Sequence, residues 1–305
     1  MTIALFLEIV VNIYMEFKFI ENEVSKKWII SSPRRAKRPD VAKGTEPVCP
    51  FCVGTEGREK EAYRAGGKEG DTNWLIRVLP NKFPFAPIHE IVIHSPDHHK
   101  SFDELPLSQS ELILKTYRQR FQTHQDKGMV YIFHNHGEEG GESLPHPHSQ
   151  LVVIPDFVKL DIAPVDFSDK KEDFHETEHF IIFSPLSSEW PDEVWVMPKQ
   201  KDRFYSRITD GEITDLAKIL YRLIQIFDLR HGHEFPFNFY ISPFKGWYLR
   251  LIPRIKTLGG FEIGTNVSVN TQDPKETIAF IKEHFESPDE EKIREEYQAK
   301  YHKAV

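Results

Sequence analysis

Apolar and polar positions along this chain fall into one pattern that occurs twice. In the first occurrence, residues 89–96 (His-Glu-Ile-Val-Ile-His-Ser-Pro) read as a strand. Leu112, Ile113, Leu114, Tyr117 and Phe121 then recur at helical spacing. Two β-branched or aromatic runs, 130–133 and 151–154, read as strands on either side of a polar loop. The second occurrence opens with a strand over 193–198 and continues with Ile213, Leu216, Ile219, Leu220, Leu223, Ile224 and Phe227 on one helical face. Runs 237–241 and 247–253 complete it as a second strand pair. The order predicts an α+β fold of two similar halves, each an antiparallel sheet with one main helix. The first half is expected over 15–156 and the second over 175–305, with 157–174, rich in Asp, Lys and Glu, as linker. Beyond Pro274, Ile278, Phe280, Ile281 and Phe285 predict a helix, and Pro288 restarts a charged one. Gly259, Gly260 and Gly264 read as a turn.

Chemistry concentrates between the strands of the first pair. His146-Pro147-His148 lies there beside Gly137, Gly140 and Gly141. If the segment is extended, both imidazoles point to one face, which suits ligand or phosphate chemistry. The bland alternative is two polar histidines at a strand end. The chain's two cysteines form Cys49-x-x-Cys52, half of a tetrahedral metal site, a redox pair or an idle pair.

Composition narrows the classes. A chain of 305 residues with 39% hydrophobic and 12% aromatic residues can bury a sizeable core and is not disordered. A net charge of −8 argues against a general nucleic-acid binder. The one dense basic cluster, 34–38, suits a local anionic ligand or a solvated loop. Residues 1–14 carry Glu8 and Asn12, lack a basic start and are too short to span a bilayer, and Met15 begins an ordinary cytosolic sequence. They read as an extension or accessory strand. No other segment reaches membrane-spanning length, and the sparse, paired cysteines fit a reducing compartment, so the expected location is the cytoplasm.

The run 133–137 (Phe-His-Asn-His-Gly) followed by 143–150 (Ser-Leu-Pro-His-Pro-His-Ser-Gln) resembles the active-site segment of galactose-1-phosphate uridylyltransferases, a family of the histidine-triad superfamily. Three more stretches resemble that family in the same order. They are 28–39, like its N-terminal signature; Cys49-Pro50-Phe51-Cys52, like its metal knuckle; and Ser95-Pro96-Asp97-His98, like the segment bearing a third metal ligand. The resemblance is specific over 28–155 and looser beyond. It departs in the second half, which has no cysteines and no histidines in the segment that takes the place of 146–155, and where Thr265-Asn266 stands in place of a tyrosine–glutamate pair. The segment 259–266 looks closer to a branch that includes ADP-glucose phosphorylase, which leaves galactose specificity open.

The resemblance implies tandem histidine-triad-like halves, the second degenerate. It implies zinc on Cys49, Cys52, His98 and His146, a closed and therefore structural set. It makes His148 the nucleophile, with Ser143 and Gln150 donating to the phosphoryl oxygens and loop amides near Gly140 and Gly141 assisting. Asn135 is implied on the ribose-phosphate, with Asn81 and Arg35 on the nucleotide side. The partners implied are a nucleotide sugar with a sugar 1-phosphate or phosphate, and a homodimer is allowed; no nucleic acid or membrane is expected. The reading carried forward is a nucleotidyltransferase most like a hexose-1-phosphate uridylyltransferase. An ADP-glucose or diadenosine polyphosphate phosphorylase, a nucleotide hydrolase and a non-catalytic zinc-stabilised nucleotide-binding module remain open. Transfer is preferred to hydrolysis because histidine-triad hydrolases usually carry a third motif histidine where this chain has Gln150.

Overall fold

The structure, a computed structural model, describes residues 17–37, 49–162 and 173–301. The extension 1–14, Arg38 at the end of the basic cluster and most of the expected linker lie outside the described residues. A hairpin of Lys18–Glu21 (β1) and Trp28–Ser31 (β2) stands apart as a two-stranded sheet. The first half continues with Tyr63–Ala65 (β3), Ile76–Pro80 (β4), Ile88–Ile93 (β5), helix Leu107–His124 (α1), Met129–His136 (β6) and His148–Ile154 (β7). The second has Phe174–Glu176 (β8), Phe180–Phe183 (β9), Val194–Pro198 (β10), helix Asp210–His231 (α2), Phe237–Ile241 (β11) and Leu249–Pro253 (β12). Short helix Gly260–Thr265 (α3), Pro274–His284 (α4) and Glu290–Tyr301 (α5) follow.

Strands β3 to β12 form one ten-stranded sheet in the order β3-β4-β5-β7-β6-β11-β12-β10-β9-β8, every pairing antiparallel. The two halves are therefore mirrored in strand order and joined at β6–β11. The fold is α+β, with an antiparallel sheet and a main helix in each half. Strand β8 starts at Phe174, one residue inside the expected linker.

Alternation assigns the sheet's two faces. Val92, Val130, Ile132, Leu151, Val153, Phe239, Ile241, Leu249 and Leu251 pack with Ile113, Tyr117, Phe121, Leu216, Leu220 and Phe227 in one core. Both helices thus cover the same face. Leu220 and Leu249 are fully buried, and truncating such a leucine to alanine costs about 2–5 kcal/mol. Helix α2 starts with a capping box: Thr209 Oγ1 accepts from the Glu212 amide at 3.3 Å, and Glu212 Oε2 accepts from the Thr209 amide at 2.8 Å. In α4, Pro274 occupies the first turn and Asp273 caps the Lys275 amide at 3.0 Å. Segment 259–266 differs from the expected turn. Glu262 caps the Gly259 amide at 3.0 Å, and Asn266 closes the short helix at φ 58°.

The opposite face carries the even positions of β7 and the odd positions of β5 and β6. Val152 and Ile154 are covered there by Phe19, Trp28 and Ile30 of the hairpin. Nearer the start of β7 the face stays open.

Candidate functional site

β7 starts at His148, so the H-x-H segment straddles the strand's beginning rather than lying within it. The Phe51 ring nevertheless contacts both imidazoles, 6.1 Å from His146 and 5.2 Å from His148. The two histidines do different things with their ring nitrogens. His146 Nε2–H donates to the Ser95 carbonyl at 2.9 Å, which leaves Nδ1 facing Cys49 Sγ and Cys52 Sγ, each 3.7 Å away. His148 Nδ1–H donates to the His146 carbonyl at 2.8 Å, which puts the lone pair of the neutral ring on Nε2.

Cys49, Cys52, His98 and His146 offer four ligand atoms within 4.8 Å of one another. Cys52 Sγ lies 3.1 Å from His98 Nδ1. Two sulfurs and two nitrogens around a tetrahedral ion at ordinary bond lengths stand about 3.5 Å apart, so the spacing fits a metal ion. Burial pushes His146 down to about 4, keeping it neutral as a ligand must be. Burial and the neighbouring Cys49 raise Cys52 to about 11, an arrangement that a cation between the sulfurs would reverse.

One cavity of about 260 Å³ brings together His148, Ser143, Gln150 and Asn81, with Pro50, Phe51, Leu79 and Phe83 as apolar walls. His89, which sequence reasoning did not single out, is buried behind two of the lining residues. His89 Nε2 is 2.8 Å from Gln150 Oε1 and 3.0 Å from Asn81 Nδ2. With Oε1 turned to His89, the amide NH₂ of Gln150 is the end left for the cavity. Asn81 is pinned in turn, its Oδ1 accepting from the Phe83 amide at 2.8 Å.

Three expected residues stand elsewhere. Asn135 lines an adjacent cavity of about 600 Å³ with Tyr131, Phe133, Asn238, Tyr240 and Arg254. Arg35 lies behind the walls, donating to the Phe83 carbonyl at 2.8 Å with its guanidinium over the Phe85 ring. The Gly141 amide donates to the Glu138 carbonyl at 2.8 Å, so in this structure it closes the loop's own turn. Gly140 is needed for a steric reason: a Cβ there would meet the His136 carbonyl oxygen at 2.1 Å and that of Phe237 at 3.0 Å.

Beneath β7 lies a buried imidazole layer. His94 Nε2 contacts Ser149 Oγ at 2.8 Å and Tyr117 Oη at 3.1 Å, while His134 Nδ1–H donates to the His148 carbonyl at 2.9 Å. Burial, with neighbouring imidazoles adding to it, holds both well below the ordinary value of 6.5. Both are neutral in the folded chain, whereas the unfolded chain protonates them near 6.5. Their contribution to stability is therefore complete above that value and is lost as pH falls toward the depressed folded values. The urea midpoint should drop between about pH 7.5 and about pH 5.5; a flat midpoint counts against this account.

Register equates positions in the two halves. Gln150 pairs with Ile91 and Phe133, and Arg250 pairs with Trp195 and Tyr240. Tyr248 thus occupies the place of His148, and Glu193 that of His89. Instead of the His89–Gln150 contact, the second half holds an Arg250–Glu193 ion pair at 2.8 and 2.9 Å, with Tyr248 stacked 4.4 Å from Trp195. At these positions the second half engages its own side chains with one another.

Comparison with known proteins agrees with this picture. Residues 88–154 match the family described as galactose-1-phosphate uridyl transferase, N-terminal domain. An ADP-glucose phosphorylase from Arabidopsis thaliana is 25% identical, covering 86% of this chain and 92% of that protein. A galactose-1-phosphate uridylyltransferase from Thermotoga maritima is 25% identical, covering 88% and 98%. The crystal structure of an Arabidopsis thaliana ADP-glucose phosphorylase with bound ADP-glucose superposes with a TM-score of 0.67 at 26% identity, over 88% of this chain and 99% of that one. The chain is similar to the galactose-1-phosphate uridylyltransferase family, with ADP-glucose phosphorylase among its relatives.

Proposed function

We propose that this chain is a nucleotidyltransferase of the galactose-1-phosphate uridylyltransferase type, acting on a nucleotide sugar through a covalent nucleotidyl group on His148. The observation that carries the reading is the setting of His148. Its Nδ1–H is committed to the His146 carbonyl, so Nε2 is the nucleophilic nitrogen, and Ser143, Gln150 and Asn81 line the same cavity. In the first half-reaction Nε2 attacks the α-phosphorus, a P–N bond forms, and the P–O bond to the sugar phosphate breaks with its electron pair leaving on that oxygen. In the second, an acceptor phosphate oxygen attacks phosphorus and the imidazole leaves. Gln150 NH₂ and Ser143 Oγ–H donate to the phosphoryl oxygens as charge grows there.

The main reading is uridylyl transfer between hexose 1-phosphates. The ADP-glucose phosphorylase relative, aligned over 86% of this chain, favours a second, in which phosphate takes an adenylyl group from ADP-glucose. We assign zinc to Cys49, Cys52, His98 and His146, because two thiolates and two imidazoles form a donor set that zinc prefers. With no ligand position to spare, the ion ties the 49–52 loop to the start of β7, so its role is structural. Among the described residues no helix is long and apolar enough to cross a membrane, and a cytoplasmic setting suits two thiols kept reduced for a metal.

The test is to incubate the protein with UDP-glucose or ADP-glucose labelled at the α-phosphate. An acid-labile adduct should map to His148 and be discharged by galactose 1-phosphate or by phosphate. Discharge by water alone would make the protein a hydrolase, and tight nucleotide binding with no adduct would make it a binding module. Gln150→Ala should slow both half-reactions by about 10²–10³, the scale of one lost oxyanion donor. Single-turnover kinetics in each direction would measure it.

A further inference from the structure

The second half reaches into the site across the β6–β11 seam. Asn238 of β11 lies directly opposite Asn135 of β6 in register, and both face the open side of the sheet. Asn238 Nδ2 donates to Asn135 Oδ1 at 3.0 Å and to the Gly140 carbonyl at 2.7 Å. Asn238 Oδ1 in turn accepts from Arg254 Nη1 at 2.9 Å. Arg254 is held in place by its backbone amide, which donates to the Pro236 carbonyl at 2.7 Å, and by the Trp190 ring 4.5 Å from its guanidinium carbon.

This chain of contacts has a direction. An asparagine amide is nearly symmetric in shape and can present either end, but a guanidinium has donors only. Facing Arg254, Asn238 must turn its oxygen to the guanidinium and its NH₂ toward β6. Asn135 must then offer its oxygen to Asn238, which leaves its own NH₂ for the cavity. Among the described residues that NH₂ makes one long contact, 3.4 Å, to the Gly141 carbonyl.

We propose that Arg254 is a positioning residue: through Asn238 it fixes the polarity of the Asn135 amide, so that Asn135 presents N–H donors to the phosphate end of a bound nucleotide. The proposal rests on the reading of Asn135 as a ribose-phosphate contact. It assigns the second half a role in the reaction, although that half has no nucleophile of its own. A reversed Asn135 would aim a carbonyl oxygen at phosphate oxygens, exchanging an attraction for a repulsion. The same Asn238 NH₂ also holds the loop carbonyl of Gly140, so the device anchors the loop that leads to Ser143.

The experiment is a double-mutant cycle on the full chain with UDP-glucose and ADP-glucose as probes, reading KM and kcat separately. Arg254→Met should raise KM about tenfold, the scale of one lost hydrogen bond to a charged group, while kcat changes less. Arg254→Lys keeps one cationic donor and should recover most of the loss. In an Asn135→Ala background Arg254→Met should have almost no further effect, because there is no amide left to orient. An equal loss in both backgrounds overturns the proposal, and so does an Asn135→Ala variant with unchanged KM. Neither result touches labelling of His148, so failure of the relay is distinguishable from failure of the covalent reading. Should Arg254→Met not fold, Asn238→Ser in the same cycle carries the test.

Discussion

Replacement of His148 by alanine should abolish both half-reactions, with no nucleotidyl adduct and no turnover above background in any substrate pairing. The expectation follows from the ring's two nitrogens. Nδ1–H is spent on the His146 carbonyl at 2.8 Å, and Nε2 alone remains to attack phosphorus. The groups beside it in that cavity are of other kinds: Gln150 and Asn81 are amides, Ser143 is a hydroxyl, and Lys82 and Glu59 are charged, so none offers a neutral imidazole. Loss of a covalent nucleophile commonly removes most of an enzyme's acceleration, of order 10⁴–10⁶ in rate. Binding should survive, since the apolar walls remain. The check is equilibrium binding of UDP-glucose and ADP-glucose alongside adduct formation. Residual turnover by ping-pong kinetics in His148→Ala would remove the covalent mechanism at this residue.

Cys52→Ser should unfold the protein at markedly lower temperature and release its metal. Cys52 Sγ is 3.1 Å from His98 Nδ1 and 3.7 Å from His146 Nδ1, so it touches both halves of the ligand set. Serine oxygen is a poor substitute for thiolate, and losing a structural ion removes several kcal/mol, on the order of 10 °C in a chain of this size. Activity at low temperature should fall less than in His148→Ala, because the ion secures the backbone beside His148 and touches no substrate. Metal analysis together with thermal melts of wild type and variant measures both parts. Wild-type protein that binds no ion, with a melt unchanged by the substitution, would refute the metal site.

Much of this was legible because the residues concerned act through local pattern or unusual chemistry. Runs 130–133 and 151–154 are short and dense in β-branched and aromatic residues, as buried strands are, and Ile213 to Phe227 has no plausible period but the helical one. Cys49 and Cys52 stand out because they are the chain's two cysteines and form one C-x-x-C pair, whereas His98 and His146 were found through the family resemblance. His89, Asn238 and Arg254 did not stand out, for a physical reason. Each looks like an ordinary polar position on an alternating strand or at its end, and its partner is set by strand pairing rather than by spacing. His89 meets Gln150 across β5–β7, and Asn238 meets Asn135 across β6–β11. The partner of the Gly141 amide was hidden for a related reason. A glycine-bearing loop suggests free amides, but this loop uses the Gly141 amide to close on Glu138. The doubled strand-helix-strand order was readable, whereas the mirrored order of the sheet was not, because no local pattern specifies which edges meet.

That mirrored order has an ancestral consequence. A sheet running β3-β4-β5-β7-β6 against β11-β12-β10-β9-β8 is what two copies of a half-length chain would build by meeting about a two-fold axis at equivalent edges. A lone half would end at β6 with a row of unpaired N–H and C=O groups, an edge that invites self-association. Fusion makes that partnership permanent, and permanence lets the two copies diverge. In such a joined chain the places of His148 and Gln150 can be taken in the second copy by Tyr248 and Arg250, whereas β11 must still close the edge of β6. Tolerance to substitution should therefore be uneven: wider at those second-copy positions, and narrow along the five residues of β11 that face the first.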